Sequence, residues 1–357
     1  MKNAVTQFIR SDIQALTAYA VADVADDVIK LDAMELPYRF PSEMAAELAA
    51  ELAAAPVNRY PNPATCGVQQ ALKAAFSIPE KAEIALGNGS DELIQLLTML
   101  VAAPGAKMLA IEPSFVMYKH NAALYGMEYI GVPLNEDFTL NLPAVLEALR
   151  EHNPALVFLA YPNNPTGVRF AREEVEAVIE AADGIVVVDE AYGSFSGDSF
   201  LSEAGSRENL VVMRTLSKIG FAGLRLGYAC GHSAVMGELA KIVPPYNMNQ
   251  LSLTAAKFAL NNAAWIEAQI EVLKNERARL FAEFAALNGC RAFASEANFI
   301  TVRVPDAQKM FDALKAENIL IKKLHGSHPL LEQCLRFTVG TPEQNDKVLA
   351  VVRRVLA

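Results

Sequence analysis

The sequence predicts an α/β protein in which a mostly parallel central sheet is followed by a smaller α+β domain. Between about residues 92 and 213, short apolar runs of strand length alternate with stretches of helical periodicity. After about residue 250 this alternation stops, and one long helical stretch precedes shorter strands and helices. The first pattern is typical of parallel strands covered by helices on both faces, and the change of pattern predicts a second domain.

The elements of the first domain follow from local composition. An alanine-rich segment at residues 45–55 predicts a helix that Pro56 ends. Runs of apolar and β-branched residues predict strands at 107–111, 155–160, 184–188 and 210–213. Helical periods predict helices at 92–102, 114–124, 142–152 and 173–182.

The second domain begins with a predicted helical stretch over residues 249–288. Strands are then predicted at 298–304, 319–322 and 334–338, with helices at 307–317 and 343–356. Residues before about 42 are too few for a domain of their own, so we expect them to pack on this one. The predicted domains are residues 43–249, and residues 250–357 together with 1–42.

Composition excludes several classes of function. The chain of 357 residues has 41 acidic residues against 31 Lys and Arg, a net charge of -10, which disfavours nucleic acids and anionic membrane surfaces as partners. Its most apolar stretch, residues 93–103, is about half of the ~20 residues that a membrane span needs. The chain starts without a signal-peptide pattern, and its four cysteines are scattered without a CxxC pair. We therefore expect a cytoplasmic protein with no membrane and no nucleic-acid partner.

Polar residues follow the predicted strands where a ligand is expected. In open α/β sheets, ligands bind beyond the carboxyl ends of the strands. The segments there are 161–167 (YPNNPTG), 189–192 (DEAY) and 214–218 (RTLSK), with 87–91 (GNGSD) before a predicted helix. They supply side-chain amides, an acid with a phenol, a lysine with hydroxyls, and a glycine-rich helix start that suits an anion.

Each of these segments also has a simpler interpretation. PNNPTG alone is typical of an ordinary turn. Asp189 and Glu190 would suit a magnesium-dependent nucleotide hydrolase, but the GxxxxGK[ST] run of such enzymes is missing. Residues 87–92 depart from a dinucleotide fingerprint at Glu92. His325 and His328 have a spacing that metals use, but no third ligand lies nearby in the sequence, so we predict no metal site.

Taken in order, the blocks YPNNPTG, DEAY and TLSK–GLRLGY resemble those of the fold-type I pyridoxal-phosphate-dependent aminotransferases. Other segments resemble the histidinol-phosphate aminotransferases within that class, at residues 31–35, 58–61, 112–118 and 325–340. The resemblance covers most of the chain. It implies the fold-type I architecture, a large domain with a mostly parallel sheet plus a smaller α+β domain, and pyridoxal 5'-phosphate as cofactor.

The resemblance also implies roles around the cofactor ring. Lys218 would bind the cofactor aldehyde covalently and then move the substrate α-proton. Asp189 would pair with the ring nitrogen, while Tyr192 and Asn164 would donate hydrogen bonds to the ring's phenolate oxygen. Phe115 stands where the family stacks an aromatic side chain on the ring.

A second implied group surrounds the cofactor phosphate. Ser90 and Asp91 would offer backbone N–H groups at the helix start, and Ser217 and Arg225 would complete the site. The cofactor-binding set also includes Thr215, close to Lys218 in the sequence. Tyr60 would reach the same phosphate from the neighbouring subunit, which implies a homodimer.

For the substrate, the resemblance assigns the anionic end to Arg336. A guanidinium fork suits both the carboxylate of glutamate and the phosphate of histidinol phosphate. Tyr19, Tyr60 and Lys322 would assist, and Lys322 stands where the family often has arginine. Leu36 stands where the family usually has asparagine.

The implied reaction is a ping-pong transfer of the amino group between L-histidinol phosphate and 2-oxoglutarate, giving imidazole acetol phosphate and L-glutamate, in L-histidine biosynthesis. Two alternatives stay open within the same fold: an aromatic or broad-specificity aminotransferase, and a threonine-phosphate decarboxylase. A binding module without catalysis is disfavoured because every expected chemical group, including Lys218, is present.

Overall fold

A computed structural model describes residues 5–16, 25, 27–62 and 66–357 of the chain. These residues form two β-sheets, one of seven strands and one of five. In chain order the strands are β1 (Ile29–Leu31), β2 (Glu83–Asn88), β3 (Lys107–Glu112), β4 (Glu128–Pro133), β5 (Leu156–Ala160), β6 (Ile185–Asp189), β7 (Leu210–Thr215), β8 (Leu226–Gly231), β9 (Arg291–Ala292), β10 (Phe299–Arg303), β11 (Ile319–Lys323) and β12 (Cys334–Thr338).

Helices cover both sheets. They are α1 (Ser11–Gln14), α2 (Ser42–Ala54), α3 (Val68–Phe76), α4 (Ser90–Val101), α5 (Met117–Leu124), α6 (Leu142–His152), α7 (Arg172–Ala181), α8 (Ser233–Ala240), α9 (Gln250–Asn261), α10 (Ala263–Ala285), α11 (Ala307–Ala316) and α12 (Pro342–Leu356). Within the described ranges, every helix is too short or too polar to cross a bilayer.

The seven-stranded sheet has the order β2-β8-β7-β6-β5-β3-β4, and all its neighbours are parallel except where β8 pairs with β2 and β7. Strand β5, an interior strand of this sheet, is buried throughout. Alternate residues of β5 belong to different cores: Leu156 and Phe158 pack on one face, and Val157 and Leu159 on the other. A continuous apolar run is therefore the signature of a strand buried on both faces, and the predicted α/β fold is confirmed.

The five-stranded sheet has the order β1-β11-β12-β10-β9. Its first strand comes from the N-terminal segment, because β1 pairs in parallel with β11, from Ile29 opposite Ile319. The seven-stranded sheet thus uses only residues between 83 and 231, whereas the other sheet uses residues 29–31 and 291–338. The domain bounds 43–249 and 250–357 with 1–42 stay a prediction.

One predicted element differs in the structure. The helical stretch over residues 249–288 is two helices, α9 and α10, separated at Asn262. The side-chain amide of Asn262 donates to the carbonyl oxygen of Phe258 at 2.9 Å. Asparagine competes with the backbone for such hydrogen bonds, which explains why the helix is interrupted there.

Candidate active site

Strand direction brings the predicted site residues to one edge of the seven-stranded sheet. The parallel strands β5, β6 and β7 all end at this edge. Strand β8 runs the opposite way, so it begins there, directly after Arg225. A cavity at this edge is lined by Ser90, Asp91, Phe115, Asn164, Asp189, Tyr192, Thr215, Ser217, Lys218 and Arg225, which are ten of the predicted cofactor residues.

Lys218 lies in a short 3-10 helix, Leu216–Ile219, that follows β7. Its Nζ donates to the carbonyl oxygen of Ala33 at 3.1 Å and lies 5.9 Å from the ring centroid of Tyr192. Burial and the positive charge of Arg336 lower the pKa of Lys218 to about 8. A much larger fraction of this amine is therefore unprotonated near neutral pH than for an ordinary lysine, as a nucleophile or base requires.

Asp189 is the last residue of β6 and is buried. Burial raises its pKa to about 6, although hydrogen bonds from the Tyr118 hydroxyl and from the Ala191 N–H oppose the shift. These donors lie 2.6 Å from Oδ2 and 3.0 Å from Oδ1. The carboxylate is thus fixed in orientation at the floor of the cavity.

Tyr118 is a site residue that the sequence analysis missed. It lines the cavity from helix α5 and stacks on Phe158 with ring centroids 4.4 Å apart. Burial and the neighbouring Asp189 raise the pKa of Tyr118 well above its usual value, so its hydroxyl stays a donor. The available signal was spacing, because Tyr118 is three residues after Phe115 and the two would share a face of the helix predicted over 114–124, although α5 begins only at Met117.

The two amides of YPNNPTG have different surroundings. Asn163 is fully buried, and its Nδ2 donates to the carbonyl oxygen of Pro113 and to Oγ1 of Thr166, both at 3.0 Å. Asn163 therefore fixes the loop. Asn164 lines the cavity, and its Oδ1 accepts from Nη1 of Arg336 at 2.5 Å.

Tyr192 closes one side of the cavity from the large sheet. It is buried and meets the ring of Phe299 edge-on, with centroids 5.1 Å apart. Burial raises its pKa far above the usual value, so the phenol keeps its proton. A protonated phenol in this position is a hydrogen-bond donor toward the cavity.

Two glycines allow close packing around the start of α4, where a side chain would clash with its neighbours. A Cβ on Gly89, whose φ is +80°, would lie 2.6 Å from Nη2 of Arg225, and a Cβ on Gly227 would lie 2.6 Å from the backbone N of Ser90. The guanidinium of Arg225 also lies 3.4 Å from Asp91 Oδ2. Free N–H groups at a helix start together with a guanidinium form a binding site for a phosphate.

The hydroxyls of the β7 end complete this region. Oγ1 of Thr215 accepts from the backbone N–H of Ser217 at 3.1 Å, and the two side-chain oxygens are 2.9 Å apart. Both residues line the cavity. The side chain of Thr215 therefore stabilises the turn that carries Lys218.

Arg336 belongs to the five-stranded sheet and contacts Asn164, which lines the cavity. It is buried on β12, its Nη2 donates to the carbonyl oxygen of Asp32 at 2.8 Å, and its guanidinium lies 5.2 Å from the ring centroid of Phe299. Lys322 is its register partner on β11, so the two side chains share a face of the sheet. Lys322 is exposed and does not line the cavity.

Among the described residues, Tyr60 is, like Lys322, a predicted site residue that does not line this cavity. Tyr60 is 81% exposed and stacks on Tyr246, with ring centroids 4.8 Å apart. Tyr19 lies outside the described residues.

The histidines of residues 325–329 have local partners. Nδ1 of His325 accepts from the backbone N–H of Gln333, and Nδ1 of His328 accepts from that of Leu330, both at 3.1 Å. Among the described residues, no group of three or more potential metal ligands is gathered in one place.

The family model described as aminotransferase class I and II matches residues 26–352. Histidinol-phosphate aminotransferase of Neisseria meningitidis serogroup C is 65% identical over 355 residues, covering 99% of this chain and 97% of the relative. A relative of the same name from Chromobacterium violaceum is 57% identical over 354 residues, covering 99% of each chain.

Solved structures show the same fold. The histidinol-phosphate aminotransferase from Sinorhizobium meliloti, in complex with pyridoxal-5'-phosphate, matches with a TM-score of 0.86 over 99% of this chain and 98% of that chain. The sequence identity is 23%, so this likeness concerns the fold alone.

Proposed function

Because the chain belongs to the class I and II aminotransferase family, we propose that it transfers the amino group between L-histidinol phosphate and 2-oxoglutarate, with pyridoxal 5'-phosphate as cofactor. The main structural support is that one cavity gathers Lys218, Asp189 and Arg225 and is bordered by Arg336. The shared name of relatives 57–65% identical to this chain supports histidinol phosphate as the substrate and L-histidine biosynthesis as the pathway.

The residues of the cavity fit each part of the proposed cofactor. An amine, a buried carboxylate and an anion site suit an aldehyde, a ring nitrogen and a phosphate. The two glycines support the fit, since a Cβ on either would fill the space beside the start of α4. When bound, pyridoxal phosphate supplies an aldehyde that bonds to an amine and a ring that withdraws electrons from the adjoining carbon.

Lys218 and Asp189 are proposed to have different roles: Lys218 transfers a proton, and Asp189 pairs with the ring nitrogen. The lowered pKa of about 8 would let the Lys218 amine accept a proton from the substrate α-carbon and deliver it to the former aldehyde carbon of the cofactor, two bonds away. Asp189, held by Tyr118, places a negative charge at the floor of the cavity to pair with a cationic ring nitrogen. Tyr192 and Asn164 face the same space and are proposed to bind the ring oxygen.

Arg336 is the proposed binding group for the anionic end of both substrates. Asn164 and the Asp32 carbonyl hold its guanidinium, which reduces the conformational entropy lost on binding. A carboxylate and a phosphate both present two oxygens to such a fork. Lys322 on the neighbouring strand is proposed to add positive charge for the phosphate, and Tyr19 is proposed to assist it.

The active unit is proposed to be a homodimer, and its location is proposed to be the cytoplasm. Each subunit is proposed to have two domains: residues 43–249, and residues 250–357 together with 1–42. The stacked pair of Tyr60 and Tyr246 supports a subunit interface, because both rings are large, apolar and more than half exposed. In this arrangement Tyr60 reaches the phosphate site of the partner. The localisation follows from the role in amino-acid biosynthesis.

The proposal is tested by a half-reaction. Purified protein loaded with pyridoxal phosphate receives L-histidinol phosphate without an acceptor, and the cofactor absorbance is followed by stopped flow. Rapid conversion to the pyridoxamine form, reversed by 2-oxoglutarate, is expected. An equal rate with L-phenylalanine would indicate a broad aromatic aminotransferase, and carbon dioxide released from L-threonine phosphate would indicate a decarboxylase.

A further inference from the structure

Within the segment of residues 32–35 (DAME), residues 33–35 line the cavity, and the small sheet fixes the backbone of Met34. The N–H of Met34 donates to Oγ1 of Thr338 at 3.2 Å, and its carbonyl oxygen accepts from Nδ2 of Asn298 at 3.0 Å. Met34 has a φ of +55°, a conformation that a non-glycine residue keeps only when its surroundings hold it. The position of the next residue, Glu35, is therefore determined.

The same segment touches both cations of the site. The carbonyl oxygen of Asp32 accepts from Arg336, and that of Ala33 accepts from Lys218. A substrate whose anionic end lies at Arg336 and whose amino group lies at Lys218 therefore has this segment beside both ends.

Glu35 is the acid on the open side of the cavity. Its side chain is 46% exposed and lines the cavity, and its Oε2 lies 2.7 Å from Nζ of Lys30. Of the other two acids that line the cavity, Asp91 lies beside Arg225 and Asp189 is bound by Tyr118. The charge of Glu35 raises the pKa of Lys218, against the larger lowering by burial and Arg336, so Glu35 lies near the reacting amine.

We propose that Glu35 determines substrate specificity by accepting a hydrogen bond from the imidazole N–H of L-histidinol phosphate. This inference rests on the function proposed above. Imidazole always has at least one N–H donor, and a carboxylate is the strongest acceptor among side chains. A phenyl ring has no such donor, and neither does the side-chain carboxylate of glutamate. Lys30 offsets the negative charge of Glu35, which limits repulsion when glutamate occupies the site.

The test measures discrimination between two phosphorylated donors. L-phenylalaninol phosphate has the same amine and phosphate as L-histidinol phosphate but a ring without N–H. Glu35→Gln in the cofactor-loaded enzyme should lower kcat/KM for L-histidinol phosphate about tenfold, as expected for a lost hydrogen bond to a charged group. For L-phenylalaninol phosphate and L-glutamate the change should stay within about twofold.

The control is Asp32→Asn, since Oδ1 of Asp32 lies 3.1 Å from the same Lys30 Nζ but Asp32 does not line the cavity. The contact of Asp32 with Arg336 is made by its main-chain carbonyl, which the substitution keeps. Asp32→Asn removes the same amount of negative charge as Glu35→Gln and should leave the preference between the two donors unchanged. Glu35→Asp keeps the charge but shortens the side chain, and should give an intermediate preference. The cofactor absorbance change, measured at increasing concentrations of each donor, gives a dissociation constant for that donor. Glu35→Gln should raise the dissociation constant of L-histidinol phosphate and leave that of L-phenylalaninol phosphate unchanged.

Equal losses for both phosphorylated donors would overturn the inference, because they would indicate a general electrostatic effect on Lys218. An unchanged preference in Glu35→Gln would overturn it as well. In both cases the proposed function stands if wild-type protein reacts with L-histidinol phosphate. If the wild type does not react with it, the proposed function fails and the inference fails with it.

Discussion

The seven-stranded sheet and the five-stranded sheet both contribute residues to the candidate site, but these residues are positioned in different ways. On the first, Asp189, Thr215 and Ser217 are buried at strand ends, and sequence-local motifs place them. On the second, Arg336 depends on contacts with Asp32 and Asn164, which are 304 and 172 residues away in the sequence. We infer that the reaction type is encoded locally, whereas substrate choice depends on how distant segments meet.

The largest effect is expected at the large sheet, from Lys218→Ala. Loss of the amine removes both the covalent link to the cofactor and the proton carrier, so steady-state turnover should fall by about 10⁴-fold or more. The cofactor should still bind, more weakly, through the phosphate site. Lys241→Ala, at an exposed lysine paired with Glu238, is the control and should keep full activity. Near-normal turnover of Lys218→Ala would remove Lys218 from the mechanism.

The next effect on the same sheet is that of Asp189→Asn. A neutral amide no longer pairs with a cationic ring nitrogen, so kcat should fall by about 10³-fold, the scale of losing a strong electrostatic interaction in a buried site. Circular dichroism should show a folded chain. If kcat dropped less than about tenfold, the proposed pairing would be wrong.

Arg336→Ala tests the small sheet. Removing the guanidinium should cost about 2–3 kcal/mol of substrate binding, because hydrogen bonds to charged groups are of that strength. The KM values for L-glutamate and L-histidinol phosphate should both rise, with the cofactor spectrum unchanged. Arg336→Lys keeps the charge without the fork and should recover only part of the loss. A rise for one substrate alone would show that the two anions have separate sites.

Tyr118→Phe should act through Asp189 and change the pH dependence. The hydroxyl of Tyr118 lowers the pKa of Asp189, which burial raises to about 6. Removing the hydroxyl raises this pKa further, so less of the carboxylate is ionised at low pH. We expect the acidic limb of the pH profile of kcat to move upward by about one pH unit, with little change at pH 8. An unmoved limb would limit Tyr118 to packing.

The smallest effect is expected from Tyr60→Phe, which removes one proposed hydrogen bond to the partner's cofactor phosphate. Cofactor affinity should fall by about fivefold, near 1 kcal/mol. Tyr246→Phe alters the other ring of the stacked pair and is the matched control, with no expected loss. Sedimentation should show dimers for both variants. A monomeric wild type would rule out a phosphate contact from the partner.

The site residues at the strand ends were predictable from the sequence, because buried parallel strands are continuous apolar runs whose ends can be located. The predicted strands at 107–111, 155–160, 184–188 and 210–213 correspond to β3, β5, β6 and β7. Strand β8 (LGYACG) was missed, since its small residues resemble a turn more than a strand. That composition is needed in the fold, where Gly227 lies against the start of α4.

Long-range features of the site were not predictable. Strand β1 has three residues, and it becomes a strand because it pairs with β11 some 290 residues later. The roles of Met34 and Glu35 depend on this pairing. Tyr118 ends the 112–118 segment that carries the resemblance, but its hydrogen bond to Asp189 follows from tertiary packing.

The reversed direction of β8 has a consequence for how this site can be altered. Thr215 and Gly227 are register partners, so the chain leaves the edge of the sheet and returns to it across the eleven residues 216–226. Lys218 and Arg225, the proposed anchors for opposite ends of the cofactor, both lie on this return. An insertion or deletion there would change the distance between the anchors, whereas transplanting the whole return would move both together. For protein engineering, residues 215–227 are one module, to be exchanged intact rather than edited in length.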